Sequence, residues 1–403
     1  MSAQASRPGS VFRAFLKLGC IAFGGPVAHF GFYEEEFVRK RRWLDAAEYA
    51  DLVALCQFLP GPSSSQVGFA IGLKRAGIPG AFAAWTGFTL PSAMLMLAFA
   101  LGVAALGDIR DAGWLIGLKL AAVAVVANAV WNLGAKLCSD RVRSLLAVVV
   151  GAALLVLNSP GWQVVMIALG AALGWLWYRR APAKDSSDAA PAENPAESRG
   201  ARRSGWPYLT TFFALLLLLP LFSGQATPGG TVAVVDAFYR AGALVFGGGH
   251  VVLPLLDAYT VAPGWVERET FLAGYGAAQA VPGPLFTFTA YLGASLSAGP
   301  GGIAGGLLAL VATYLPSWLL VIGGLPYWER LRRLQAAQAA LQGANAAVVG
   351  LLLAAFYDPV WSAAVTTPER VAFALVAFGL LRFGKVPPLA LVLVSAVAGG
   401  LLL

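Results

Sequence analysis

Long runs of apolar residues, separated by short polar or glycine- and proline-rich stretches, dominate the chain. The run AFAAWTGFTLPSAMLMLAFALGVAAL from Ala81 is long enough for a helix to cross a hydrocarbon core of roughly 30 Å. In the first half the pattern predicts membrane-crossing helices over about residues 81–106, 113–137, 144–158 and 161–178. We therefore predict an all-α integral membrane protein.

Two motifs interrupt the apolar pattern twice, in the same order. FGGPVAH begins at Phe23 and FGGGHVV at Phe246, while QFLPGP begins at Gln57 and QAVPGP at Gln279. TLPS in the first half likewise matches YLPS in the second. Motifs that recur in one order indicate an internal repeat.

The cations between the apolar runs predict opposite orientations for the two halves. RKRR from Arg39, the KR pair at 74–75 and the basic stretch 136–143 all belong to the first half. The counterparts of the first two, YTVAPG and SAGPGG, contain no cation, whereas WERLRRL replaces GDIRDAG. Because cations favour the cytoplasmic side, we expect two inverted-topology repeats with the N-terminus inside and the C-terminus outside.

Composition divides the chain into four parts. Residues 1–178 form the first repeat, 179–205 a linker, 206–229 a connecting transmembrane helix with its outer loop, and 230–403 the second repeat. The linker is rich in Ala, Pro and Ser with mixed charges, so we expect it to be flexible and cytoplasmic. No cleavable signal peptide is expected, because Arg13 and Lys17 interrupt the first apolar stretch.

The charge pattern also constrains the interrupted segments. If the N-terminus, RKRR and the KR pair all lie inside, the motif-bearing segments enter and return on one side. We predict two re-entrant hairpins per repeat, followed by four crossings, which with the connecting helix makes nine. The alternative is that the hairpin arms cross fully.

The breaks are candidate binding elements. Inverted repeats with broken helices place a site near the membrane midplane, and helix N-termini offer unpaired N–H groups and partial positive charge to an anion. The alternative is that these residues only kink and pack the helices. The predicted substrate-binding residues at the breaks are Gly24, Gly25, Gln57, Gly61, Ser63, Ser64, Ser65, Gly247, Gly248, His250, Gln279, Gly283 and Thr287.

Three cations in apolar segments complete the predicted binding residues. Lys17 and Arg240 occupy the same repeat position, and Lys119 lies inside a predicted crossing. Cations at such depth are costly and often functional. The alternatives are that the lysines extend to the membrane surface and that Arg240 pairs with Asp236, one turn earlier.

Few other side chains suggest chemistry. His29 and His250 are a poor metal pair, and Asn128 and Asn345 are candidates for hydrogen bonds between helices. No enzyme signature occurs, so we expect neither an enzyme nor a cofactor or metal. The net charge of +8 is explained by topology rather than nucleic-acid binding.

The motifs resemble a known family. FGGPVAHFGFYEEEFVRKRRWL, QFLPGPSSSQVGFAIGLKRAGIPGAFAAWTGFTLPS and VFGGGHVVLPLLDAYTV are similar to the chromate ion transporter family, in its long, two-domain form. The resemblance implies a bacterial inner-membrane protein that exports chromate, a sulfate-like dianion, by secondary transport. An uptake system or channel for sulfate or another anion is the alternative. The expected partners are the oxyanion and lipid, with a homodimer left open.

Overall fold

The computed structural model describes residues 7–106, 112–157, 160–178, 205–225, 227, 229–246, 249–332 and 334–402. Regular structure in these ranges is helical, and they contain no strand. The predicted all-α class is confirmed. The predicted linker lies outside the described residues apart from its last residue, Gly205.

The first half begins with short helices and continues with longer ones. Its helices are α1 (Pro8–Ile21), α2 (Gly25–Tyr33), α3 (Ala46–Phe58), α4 (Ser63–Leu106), α5 (Gly113–Leu137), α6 (Arg141–Val156) and α7 (Pro160–Tyr178). A π-helical turn, Glu34–Lys40, extends α2.

The second half follows a connecting helix, α8 (Trp206–Ser223). It contains α9 (Thr231–Ala243), α10 (Val252–Leu256), α11 (Arg268–Ala278), α12 (Phe288–Ala294), α13 (Gly302–Gly324), α14 (Trp328–Leu331), α15 (Gln335–Ala355), α16 (Ser362–Ala364), α17 (Pro368–Arg382) and α18 (Pro388–Leu402). Short 3-10 turns at Gly249–Val251, Leu285–Thr287 and Leu325–Tyr327, and π-helical turns at Asp257–Val261 and Phe356–Trp361, join some of them.

The helices next to the breaks are short. α1 has 14 residues and α3 has 13, so each is about 20 Å long, well below the roughly 30 Å of a hydrocarbon core. In α4 the backbone leaves helical geometry at Ala76 and Gly77, which separates a short first segment from a long second one. These lengths agree with re-entrant hairpins, whose depth in the membrane stays a prediction.

Several described helices can cross a membrane by length and composition. The five long apolar stretches are Ser63–Ala105, Gly113–Leu137, Trp206–Ser223, Gly302–Tyr327 and Gln335–Ala364. Shorter apolar helices cover Gly161–Trp177, Leu285–Ala294 and Pro388–Leu402. The protein is a multi-pass membrane protein; the count of nine crossings and the inverted orientation stay predictions.

Helices of each half pack against helices of the other half. α5 packs along α17 and α18 of the second half, and α15 packs along α6 and α7 of the first. Since α5 corresponds to α15 in the sequence repeat, and α6 and α7 to α17 and α18, the same packing scheme holds in both directions. Neither half forms its core alone.

Small residues mediate these helix contacts between the two halves. A Cβ added at Gly117 of α5 would overlap the backbone of Ser395 in α18, and one added at Gly343 of α15 would overlap the backbone of Gly170 and Gly174 in α7. Because lipid tails are as apolar as side chains, helices in membranes associate largely through such close backbone contact. The glycines therefore set the spacing between the halves.

Candidate functional site

One cavity of about 470 Å³ lies where the four helix breaks meet. The first FGG break contributes Gly24, Gly25 and Pro26, and the second contributes Gly249 and His250. Both PGP breaks line it as well, through residues between 57 and 63 and between 279 and 285. The remaining wall comes mainly from α5, with Asn345 of α15. Motifs far apart in sequence thus share one space.

Two backbone hydrogen bonds tie the breaks of one half to those of the other. The N–H of Gly61 donates to the carbonyl oxygen of Val245 at 2.7 Å, and the N–H of Gly283 donates to that of Ala22 at 2.8 Å. Gly61 and Gly283 are matching residues of the two PGP motifs, and Ala22 and Val245 each precede an FGG motif. The bonds therefore join PGP of each half to FGG of the other.

Glycine is required at both PGP positions for conformation and space. Gly61 has φ of +126° and Gly283 of +90°, a region that side-chain-bearing residues rarely adopt. An added Cβ at Gly61 would overlap the hydroxyl of Ser317, and one at Gly283 would lie 3.0 Å from the hydroxyl of Ser92. These serines end the YLPS and TLPS motifs, so each half's LPS serine packs on the other half's break.

α5 carries a row of polar side chains along the cavity wall. Asn128, Asn132 and Lys136 all line the cavity, and their spacing of four residues places them on one helix face. Asn132 and Lys136 are exposed, whereas α5 is buried from Leu115 to Val126. The cavity wall is therefore accessible at the C-terminal end of α5.

Two amide groups at the cavity have unused hydrogen-bonding capacity. The Nε2 of Gln279 and the Oδ1 of Asn345 are buried and have no hydrogen-bond partner among the described residues. Buried polar atoms are normally paired, so an unpaired donor at a cavity is a candidate ligand contact. Gln57, which matches Gln279 in the repeat, also lines the cavity but is exposed.

The histidines occupy different environments. His250 lines the cavity, and its Nδ1 lies 2.7 Å from the hydroxyl oxygen of Tyr275. His29 is buried outside the lining, with Nδ1 3.2 Å from the hydroxyl of Ser64 and Nε2 3.2 Å from the carbonyl oxygen of Ala22. The described residues include no cluster of three or more His, Cys, Asp or Glu that could hold a metal ion.

Comparison with known proteins gives this geometry a context. The chain matches the family described as Chromate transporter over residues 9–175 and 232–400, which is most of its length. The chain belongs to the chromate transporter family. The match covers both halves, so the expected long, two-domain form is confirmed.

Three relatives align over nearly the whole chain. The chromate transport protein of Cupriavidus metallidurans is 26% identical over 394 residues, covering 96% of this chain and 90% of that protein. The chromate transport protein of Pseudomonas aeruginosa is 27% identical over 380 residues, covering 93% and 85%. An uncharacterized transporter of Methanocaldococcus jannaschii is 26% identical over 406 residues, covering 98% and 94%. No solved structure matches the chain.

In this chromate transporter family member, some of the predicted binding residues lie outside the cavity lining. Ser64 contacts His29, the hydroxyl of Ser65 lies 3.4 Å from that of Tyr314, and the hydroxyl of Thr287 donates to the carbonyl oxygen of Pro284. All three are buried. Of the serines after the first PGP motif, Ser63 is the one that lines the cavity.

Lys17 lies at a hairpin surface. Its side chain is 60% exposed, and its Nζ is 3.8 Å from a carboxylate oxygen of Glu36, which also accepts a hydrogen bond from Arg41 at 2.7 Å. Burial alone would raise the pKa of Glu36, but the hydrogen bond and charge of Arg41 and the charges of Lys17 and Lys40 hold that pKa below its usual value. The ion pair joins α1 to the turn that extends α2.

Arg240 makes the corresponding connection in the second half. It pairs with Asp236, which is fully buried, and its guanidinium lies 4.6 Å from the ring centre of Tyr259. Tyr259 lies in the π-helical turn Asp257–Val261 that follows α10. Both cations thus hold the arms of the first hairpin of their half, and neither is part of the cavity lining.

The remaining predicted residues fall into two groups. Lys119 is buried in the part of α5 beyond the cavity. Gly247 and Gly248 lie outside the described residues. The predicted residues that line the cavity are Gly24, Gly25, Gln57, Gly61, Ser63, His250, Gln279 and Gly283.

Sequence reasoning did not single out Asn132 and Lys136. Lys136 counted only as a cation of a basic loop, although the spacing of Asn128, Asn132 and Lys136 was visible in an otherwise apolar helix. A polar row of this kind on one helix face is a signal for a wet surface within the membrane.

Proposed function

We propose that the protein exports chromate, as a sulfate-like divalent oxyanion, across the bacterial inner membrane by secondary transport. Membership of the chromate transporter family supports chromate transport as the activity. The observation that carries the proposal is the single cavity at which all four glycine- and proline-rich breaks meet.

The cavity lining suits an anion. Backbone N–H groups at the start of α2 and α4, the hydroxyl of Ser63 and the unpaired Nε2 of Gln279 are hydrogen-bond donors. Lys136 adds a positive charge, and the described lining residues include no Asp or Glu. A dianion therefore meets donors and a cation there, without repulsion from a carboxylate.

Membrane potential provides a driving force for export. Moving one charge across 100 mV changes the free energy by about 2.3 kcal/mol, so a dianion leaving a negative interior gains about twice that amount. A proton gradient is the other source of energy that we consider. Alternating exposure of the cavity by rocking of the two halves is the mechanism that inverted repeats favour.

Uptake of sulfate or another anion, with the protein acting as a carrier or channel, is the alternative. Chromate and sulfate both present four oxygens and two charges, so the cavity lining gives no reason to prefer one. Flux measurements must therefore include both anions and both directions.

The test is flux of radiolabelled chromate into proteoliposomes that contain the purified protein. With an imposed interior-positive potential, we expect accumulation that is absent from empty liposomes and reduced by excess sulfate. Gln279→Ala should raise the half-saturating concentration at least about tenfold, because a hydrogen bond to a charged group contributes about 1.5–3 kcal/mol and about 1.4 kcal/mol is a factor of ten. Gln225→Ala, at an exposed residue outside the cavity, is the matched control.

The outcomes separate activity from site. Absence of flux for both chromate and sulfate would overturn the transport proposal. Flux that Gln279→Ala leaves unchanged would retain transport but remove this amide from the site. Chromate movement that follows an imposed pH gradient at zero potential would assign the coupling to protons.

A further inference from the structure

The polar row on α5 extends from the accessible end of the cavity to the helix breaks. Lys136 and Asn132 are exposed, Asn128 is half-buried, and all three line the cavity. Residues at intervals of four along an α-helix lie about 6 Å apart along its axis. The row therefore spans about 12 Å of the wall with hydrogen-bond donors at each step.

Lys136 is the one charged side chain among the described lining residues at this end. No carboxylate among the described residues forms an ion pair with it. Leu381 and Pro388 of the second half also line the cavity. The segment between them includes Lys385, which is exposed. The accessible end of the cavity, here called the opening, therefore carries the positive charge of Lys136, and Lys385 is a second exposed cation on the segment from Leu381 to Pro388.

We propose that Lys136 captures the oxyanion at the opening, and that Asn132 and Asn128 conduct it along α5 to the helix breaks. The inference rests on the proposed transport of a divalent oxyanion and assigns a role to residues beyond the breaks. The positive-inside distribution predicts that this end of α5 lies on the cytoplasmic side. Capture there serves export, since the anion enters from the cell interior.

A second explanation of Lys136 is that it only orients α5 in the membrane. The two roles predict different effects of ionic strength on transport. Attraction of an anion by an exposed charge is screened over about 10 Å at 0.1 M ionic strength and over about 3 Å at 1 M. An orienting charge acts during insertion, and its removal would not change the concentration dependence of transport by protein already in place.

The test compares Lys136→Gln, Lys136→Arg and Lys74→Gln in everted vesicles, with chromate influx measured at low and high ionic strength. Lys74 is the matched control, because it is a cation of the first half that pairs with Glu48 at 3.3 Å and does not line the cavity. At low salt we expect Lys136→Gln to raise the apparent KM about tenfold, at the lower end of the range for electrostatic steering, with kcat little changed. Lys136→Arg and Lys74→Gln should resemble the parent.

High salt should reduce the effect of Lys136→Gln to roughly twofold or less, because screening removes the attraction in both proteins. An equal KM for Lys136→Gln and the parent at low salt would overturn the inference, while flux in the parent would leave the proposed function standing. No flux in the parent would instead contradict the proposed function itself.

A chemical variant covers the case in which Lys136→Gln does not reach the membrane. Asn132→Cys can be labelled after folding with a negative sulfonate or a positive ammonium reagent of similar size. The background lacks Cys20, which is exposed, Cys138, which is half-buried, and Cys56, which lines the cavity. We expect the negative label to raise the apparent KM for chromate several-fold more than the positive label. Equal effects of the two labels would overturn the inference.

Discussion

At the scale of single residues, the PGP glycines are the most constrained positions of the cavity. Gly61 combines φ of +126°, a donated hydrogen bond to Val245 at 2.7 Å, and direct contact with Ser317. Each feature depends on the absence of a side chain or on the exact path of the backbone. The residue belongs to both the cavity and the contact between halves.

Gly61→Ala is therefore expected to destabilise the protein by about 1–3 kcal/mol, the cost of holding a non-glycine residue in such a conformation. Thermal unfolding in detergent should show a lower midpoint, and chromate flux should fall. Gly102→Ala is the control, because Gly102 lies within α4 and no atom lies near an added Cβ. There alanine should be neutral or stabilising by up to about 1 kcal/mol. Equal midpoints for the two variants would contradict the assignment of strain.

How far single residues can be predicted from sequence depends on the kind of constraint. The unusual backbone conformation of Gly61 can be predicted from its motif, because a glycine at such a position itself indicates it. The contact with Ser317 is not evident, since it joins residues of different halves. Lys17 and Arg240 show the converse: their depth suggested a ligand, but each is held by groups of its own hairpin.

At the scale of elements, α5 combines two functions on different parts of its length. Its N-terminal part carries Gly113 and Gly117, which contact α18, and its C-terminal part carries the polar row at the cavity. Apolar periodicity predicted this helix correctly at 113–137. Apolar periodicity did not predict that α5 packs on α18, because many glycines occur in the apolar runs and each is compatible with several neighbouring helices.

Gly117→Ala should weaken the contact between α5 and α18. The added methyl group would overlap the Ser395 carbonyl, and forcing the helices apart costs about 1–3 kcal/mol. Gly134→Ala, in the same helix but with no atom near its added Cβ, should not lower stability. The measurement is the unfolding midpoint of both variants in one detergent. A midpoint for Gly117→Ala at or above that of Gly134→Ala would show that this contact does not limit stability.

At the scale of the whole molecule, the arrangement in the membrane follows from the cations. Sequence predicted the two halves, their breaks and the class of fold, and the breaks do line one cavity. The direction in which each half enters the membrane depends on the bilayer and its charge asymmetry. That orientation stays a prediction.

Cysteine labelling tests it. In a background without Cys20, Cys56 and Cys138, an impermeant maleimide should label Arg42→Cys in everted vesicles and Gly264→Cys in intact cells. Arg42 lies in the basic loop of the first half, and Gly264 lies in its cation-free counterpart. Both residues should stay accessible, since each lies in a turn between helices. Labelling of both from the same face would refute inverted repeats.

The reciprocal packing of α5 and α15 bears on how such a chain could arise by gene duplication. A half-length ancestor would have carried the α5 surface without α17 and α18 of a second copy to cover it. It would have been complete only as a pair of polypeptides, which the predicted inverted topology would insert opposite to each other. Fusion through an added helix such as α8 would then have fixed the pair in one molecule, after which the two copies were free to diverge.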